Sequence, residues 1–126
     1  MSVATQSNPV ADPEAILSKA ALRAAAALGI SNKEFAAIVG VSPAYVTKLK
    51  AGTASFALGS KPAELATHFI RSYRSLDAIV GGEGDTARIW VRMHNTALGD
   101  VPVHLMKTIA GLLDVEAYLD QRRAPL

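Results

Sequence analysis

Residues 32–51, NKEFAAIVGVSPAYVTKLKA, constrain this chain more than any other stretch. Just before them, Ser31 and Glu34 form S-x-x-E, the pattern in which a serine and a glutamate side chain cap a helix start reciprocally. A short helix over 32–39 follows and stops at Gly40, the residue type that enters the left-handed region without a Cβ penalty. Ser42-Pro43 opens a second helix that runs to about Lys50 and ends at Gly52. Ala36 is small enough for one helix to cross the other closely, and Phe35, Val39, Val41, Val46 and Leu49 supply the apolar contacts between them. An ordinary helical hairpin needs fewer of these features. Size, turn and apolar spacing together predict a helix-turn-helix unit.

In such a unit the second helix, over 42–50, enters the major groove of DNA. Its expected exposed positions are Ser42, Ala44, Tyr45, Thr47, Lys48 and Lys50. Thr47 and Lys48 are the candidates for base edges, since threonine hydrogen-bonds or touches a thymine methyl and lysine donates to guanine. Ser42, Asn32 and Lys33 read as phosphate contacts, helped by exposed amides at the two helix starts. A solvated charge is the plain alternative for each lysine. With no arginine on this face, moderate affinity and strong salt dependence are expected, and with them a dimer on a two-fold operator.

The flanks read as helices too. Residues 1–12 form a loose tail without period. Asp12-Pro13 starts an Ala/Leu-rich helix over 13–28 that Gly29 ends. Residues 52–60 form a loop. Lys61-Pro62 opens a long helix to about residue 80, with Leu65, Phe69, Leu76 and Val80 on its apolar stripe and Arg71 and Arg74 on the wet side. The run GGEGD over 81–85 marks a boundary, so the expected units are 13–80 and 81–126. Three short helices follow over about 85–93, 102–111 and 115–122, Pro102 opening the second and Asp114 capping the third. No segment reads as a strand, which makes the expected fold all-α.

The chain has 126 residues, half of them apolar, enough for one core or two very small ones. It has no cysteine, which removes disulfides, thiol nucleophiles and cysteine-ligated metals, and fits a reducing, cytoplasmic setting. The first positive side chain is Lys19, unlike a secretory start, and no apolar run is long enough to span a membrane. Residues 1–60 carry five Lys/Arg against three Asp/Glu, while 61–126 carry eight of each, so the whole net charge of +2 lies in the first half.

Residues 32–51, and more loosely 13–75, resemble the Xre/Cro-type helix-turn-helix regulators of bacteria and phages. A second signature spans 76–121. Ala87, Trp90 and Val91 precede a polar loop, His94-Asn95-Thr96. Leu98-Gly99, Pro102, Leu105, Gly111, Val115 and Leu119 follow in order. This stretch resembles the toxin-binding domain of MbcA/ParS/Xre antitoxins. Asp100 departs from that pattern, where a second small residue is usual. The resemblance implies an Xre/Cro-like helix-turn-helix bundle followed by a small three-helix toxin-binding domain. It implies a RES-domain toxin partner that consumes NAD, whose active site the antitoxin's C-terminal end blocks. It further implies repression of the chain's own operon, and a homodimer or higher assembly within the toxin complex. The residues expected at the toxin are Tyr118, Leu119, Gln121, Arg122, Arg123 and Leu126, the first two as apolar anchors and the arginines as forked partners for carboxylates. A solvated terminus is the plain alternative. Trp90 reads as a core anchor rather than a contact.

No catalytic constellation is present. His68, His94 and His104 lack metal-ligand spacing, GGEGD lacks the flanking strands of a nucleotide loop, and Asp114 with Glu116 reads as acid at a helix start. The expectation is therefore no enzyme, no metal and no cofactor. The other function that fits is a stand-alone Xre-type regulator without a toxin.

Overall fold

The computed structural model describes residues 12–123, and among them every regular element is a helix. These are α1 (Pro13–Ala27), α2 (Asn32–Val39), α3 (Pro43–Ala51), α4 (Lys61–Ile79), α5 (Gly84–Trp90), α6 (Pro102–Leu105) and α7 (Ile109–Arg123). The first four start as their sequences dictate. Asp12, Ser31, Ser42 and Ser60 each hold extended backbone and accept a backbone N–H from the first turn. Each side chain thereby satisfies an amide that has no partner inside its own helix.

Helix α4 is the hub. It packs most extensively against α7, then against α1 and α2. Phe35 meets Phe69 edge-on at 5.8 Å and Phe56 at 6.3 Å, which ties α2, α4 and the loop after α3 together. That loop is also pinned to α1. The buried Ser18 hydroxyl donates to the Glu14 carbonyl and accepts from Phe56 N–H at 2.9 Å, and the Glu14 carboxylate accepts from Leu58 N–H. One hydrophobic core runs on from Ala21 and Leu28 through Phe69 and Leu76 to Val91, Val103, Leu112, Val115 and Leu119.

The C-terminal helices differ in extent from the pattern expected. The segment expected to be helical over 102–111 stops at Leu105, and α7 already begins at Ile109. The cap of α7 is Thr108, whose hydroxyl accepts from Gly111 N–H at 3.0 Å, not Asp114, which lies exposed inside the helix. Gly111 is the cause. A Cβ there would stand 2.0 Å from the Leu105 carbonyl oxygen, so only glycine lets α7 start against the end of α6. Periodicity cannot reveal this, because the glycine is needed for space and not for turning the chain. Between α5 and α6, a bridge between Asn95 and Asp100 closes the polar loop, with Asn95 Oδ1 accepting from Leu98 N–H at 2.9 Å. The Asp100 side chain caps Val101 N–H.

Candidate functional site

The α2–α3 pair is built by local bonds. Ser31 Oγ accepts from Glu34 N–H at 3.1 Å, while Glu34 Oε1 accepts from Ser31 N–H at 2.9 Å, completing the capping box. Gly40 ends α2 with φ +76°, and the Ala36 carbonyl accepts from both Gly40 and Val41 N–H. Ser42 Oγ then accepts from Tyr45 N–H to start α3. Val46 and Leu49 are buried against the core, which turns Ser42, Ala44, Thr47, Lys48 and Lys50 outward, all exposed. Asn32 and Lys33 are exposed at the first turn of α2. Lys50 also lines, with Asn32 and Phe35, a small enclosed pocket of about 40 Å³. Among the described residues no ion pair takes up Lys33, Lys48 or Lys50.

Tyr45 departs from expectation. It is half-buried, and its hydroxyl donates to the Ser55 carbonyl at 2.6 Å. Its place on α3, beside Leu49 rather than opposite it, turns the ring toward the loop after the helix, so it braces α3 instead of standing on the outer face.

The C-terminal end is likewise less open than its sequence suggests. Leu119 is only 2% exposed and belongs to the core, because α7 runs unbroken and places it in line with Leu112 and Val115. It is not available as an apolar anchor for a partner. Tyr118 is half-buried and stacks on Trp90, with ring centres 6.2 Å apart, and the Arg122 guanidinium covers its ring at 3.7 Å. Trp90 itself is half-buried at the edge of the core, not inside it. Gln121, Arg122 and Arg123 are exposed, though Arg123 also donates to Ser75 Oγ at 3.3 Å. Leu126 lies outside the described residues.

Two family models match the chain. The Antitoxin Xre-like helix-turn-helix domain matches residues 10–71. The Antitoxin Xre/MbcA/ParS C-terminal toxin-binding domain matches residues 75–124. The chain belongs to this antitoxin family. No curated protein matches it. The antitoxin therefore carries a helix-turn-helix unit that takes in α1, α2, α3 and most of α4, and a toxin-binding segment that starts at the end of α4 and takes in all of α5, α6 and α7.

Inside the antitoxin, the two matched segments meet along α4 and α7 through a polar seam. His68 Nδ1 lies 2.7 Å from Glu116 Oε1, with Arg71 at 3.9 Å from the other carboxylate oxygen. Within the toxin-binding segment itself, Ser75 Oγ donates to Asp120 Oδ1 at 2.7 Å along the same α4–α7 face. Glu116 is thus buried in mid-helix and paired, not a free acid at a helix start as its sequence position suggests. They meet again just after α5. Arg92 forks onto Glu34, with Nη1 2.7 Å from Oε2 and Nη2 2.8 Å from Oε1, and Nη2 also donates to the Gly29 carbonyl at 2.7 Å. The Arg92 guanidinium, aided by the Ser31 amide, holds the Glu34 carboxyl down at about 2 against an ordinary 4.5, although partial burial works the other way.

Sequence reasoning missed the apolar side chains that the toxin-binding segment leaves in water. Ile89 and Met93 on and after α5, and Ile109 and Leu113 on α7, are each more than two-fifths exposed. Ile109 and Leu113 stand four apart on one side of α7, a signal that becomes readable only once the helix is known to begin at residue 109. Among the described residues no group of His, Asp or Glu is arranged to hold a metal, and no helix is long and apolar enough to cross a membrane.

Proposed function

We propose that this antitoxin binds the operator of its own operon through α3 and the start of α2, and captures a RES-domain, NAD-consuming toxin through residues 81–126. The observation that carries the reading is the outer face of α3 in a chain of this family: exposed Ser42, Ala44, Thr47 and Lys48, flanked by Lys50, with no acidic partner for either lysine among the described residues. Thr47 and Lys48 read bases, while Asn32, Lys33, Ser42 and Lys50 meet phosphates. Unpaired lysines release counterions when they bind, so affinity falls steeply with salt. A single unit of this size holds DNA weakly, and the operator-bound form is a dimer on a two-fold site.

The toxin-capturing unit works through the end of α7 and the residues after it. Gln121, Arg122, Arg123 and Leu126 enter the toxin's cleft, where arginines fork onto carboxylates and block access of the substrate. The exposed Ile109 and Leu113 support this as an apolar contact outside the cleft.

The test is co-purification of the tagged chain at moderate salt with nuclease, followed by mass spectrometry, with and without residues 121–126. The deletion starts after Leu119 and Asp120, so it leaves the core and the Ser75–Asp120 bond in place. The expected result is a stoichiometric RES-domain partner that is lost or weakened by the deletion. Retained binding to its own promoter DNA with no protein partner would instead identify a stand-alone regulator.

A further inference from the structure

Four residues, 28–31, join the end of α1 to the start of α2 and so set the angle at which the helix-turn-helix leaves the rest of the fold. At this joint the carbonyls of Ala24, Ala25 and Ala26 already accept from the backbone N–H groups of Leu28, Ile30 and Gly29, which leaves the end of α1 at Ala27 and the first turn of α2 to be held by side chains. Both are gripped from the toxin-binding segment. Arg88 Nη1 donates to the Ala27 carbonyl at 3.2 Å. Arg92 reaches three acceptors at once, the Gly29 carbonyl and both oxygens of Glu34, and Glu34 in turn holds the Ser31 amide. A planar guanidinium supplies several donors in a fixed fork, and an ammonium at the same place cannot match that geometry.

We infer that Arg92 is a positioning residue for operator binding: a side chain of the toxin-binding segment holds the entry of α2 at the angle that brings Asn32, Lys33 and the outer face of α3 onto one DNA surface. The inference rests on the operator-binding reading above. It does not reduce to general adhesion, because α2 has its own hold on the fold. Phe35, Ala36, Ile38 and Val39 are buried, whereas the Arg92–Glu34 pair sits at the rim, with the Arg92 side chain 44% exposed. Without Arg92 the core keeps α2 folded, while its first turn, which carries Asn32 and Lys33, is released. Whatever moves α5 thereby moves the DNA-binding face, which gives toxin capture a direct route to operator affinity.

The experiment titrates a labelled duplex of the chain's own promoter region with wild type, Arg92→Ala, Arg92→Lys, Glu34→Gln and the Glu34→Gln/Arg92→Ala double variant. All are measured well below their unfolding midpoints and at several salt concentrations. Glu34→Gln keeps an oxygen for the Ser31 amide but puts an NH2 donor where Arg92 Nη1 needs an acceptor, so it breaks the ion pair and the fork together. Arg92→Ala is expected to weaken binding by roughly three- to thirty-fold with an unchanged salt slope, since no phosphate contact is lost. Glu34→Gln should weaken binding similarly, the double variant no further than the weaker single, and Arg92→Lys should recover part of the loss. Wild-type affinity in Arg92→Ala, with only a lower midpoint, overturns the inference and leaves a structural tie. A salt slope reduced by about one also overturns it, because Arg92 then touches phosphate itself. If wild type fails to bind the duplex, the operator reading falls. Amide exchange over 33–36 then still decides the joint: faster exchange in Arg92→Ala supports the grip of Arg92 on α2, and unchanged exchange removes it.

Discussion

The two halves of this antitoxin reach the same kind of structure by different means. In α1 to α4 every helix start is announced by a side chain that caps it. In α5 and α6 neither cap residue, Glu83 or Val101, makes such a bond. Those short helices are held from outside. Val103 N–H donates to the Val91 carbonyl at 2.9 Å, Trp90 lies on Tyr118, and α7 starts where Gly111 lets it touch Leu105. A four-residue helix such as α6 has too few internal bonds to stand alone. The DNA-binding half is therefore encoded locally, and the toxin-binding half, apart from the Thr108 cap of α7, by its packing. A segment held by packing is the one a bound partner is best placed to alter.

The sharpest way to break this contrast is Gly111→Ala. A methyl forced against the Leu105 carbonyl should destabilise the fold by about 3 kcal/mol or more, read from the urea midpoint, with Trp90 fluorescence reporting the C-terminal half. An unchanged midpoint would mean that α6 and α7 meet otherwise than described.

The next effect tests the joint between the halves. The Glu34 carboxyl titrates at about 2 in the fold against 4.5 in the open chain. Its contribution is fully present above 4.5 and is lost as pH falls toward about 2. The pair stands at the surface, so screening reduces its worth to about 1–2 kcal/mol. The stability gap between wild type and Arg92→Ala should be at least that size near neutral pH and narrow on acidification through this window, leaving the part owed to the bond to the Gly29 carbonyl. A gap independent of pH would show that the fork to Glu34 is not what stabilises the joint.

A single local cap matters less. Ser31→Ala should cost about 1 kcal/mol in thermal unfolding while Trp90 and the C-terminal half unfold together with the rest. Separate transitions for the two halves would contradict the continuous core. The smallest change in stability belongs to Lys48→Ala, within about 0.5 kcal/mol. Its signature is instead a salt slope of operator binding lower by about one if it meets phosphate, or a changed base preference if it meets guanine.

Much of the DNA-binding half was legible because its signals are short-range: S-x-x-E at Ser31, Gly40, Ser42-Pro43 and the apolar set around Val46 and Leu49 act within one or two turns. Tyr45 was misplaced because the acceptor for its hydroxyl, the Ser55 carbonyl, lies ten residues on in a loop that has no period. The apolar order of the C-terminal half and its toxin-binding signature were also readable, but not what each residue faces. Leu119 and Glu116 look available in a string of letters and are buried, and the true start of α7 is hidden in a hydroxyl and a missing Cβ.

By itself the sequence determined that this chain is all-helical, where its first four helices begin, and to which family it belongs, because capping, glycine turns and helical period are properties of neighbouring residues. Only the tertiary structure decided which charges are free and which are spent. His68 finds Glu116 across 48 positions, and Arg92 finds Glu34 across 58. Such pairs form when two helices already packed by their apolar faces bring opposite charges within reach, and nothing local to either residue records it.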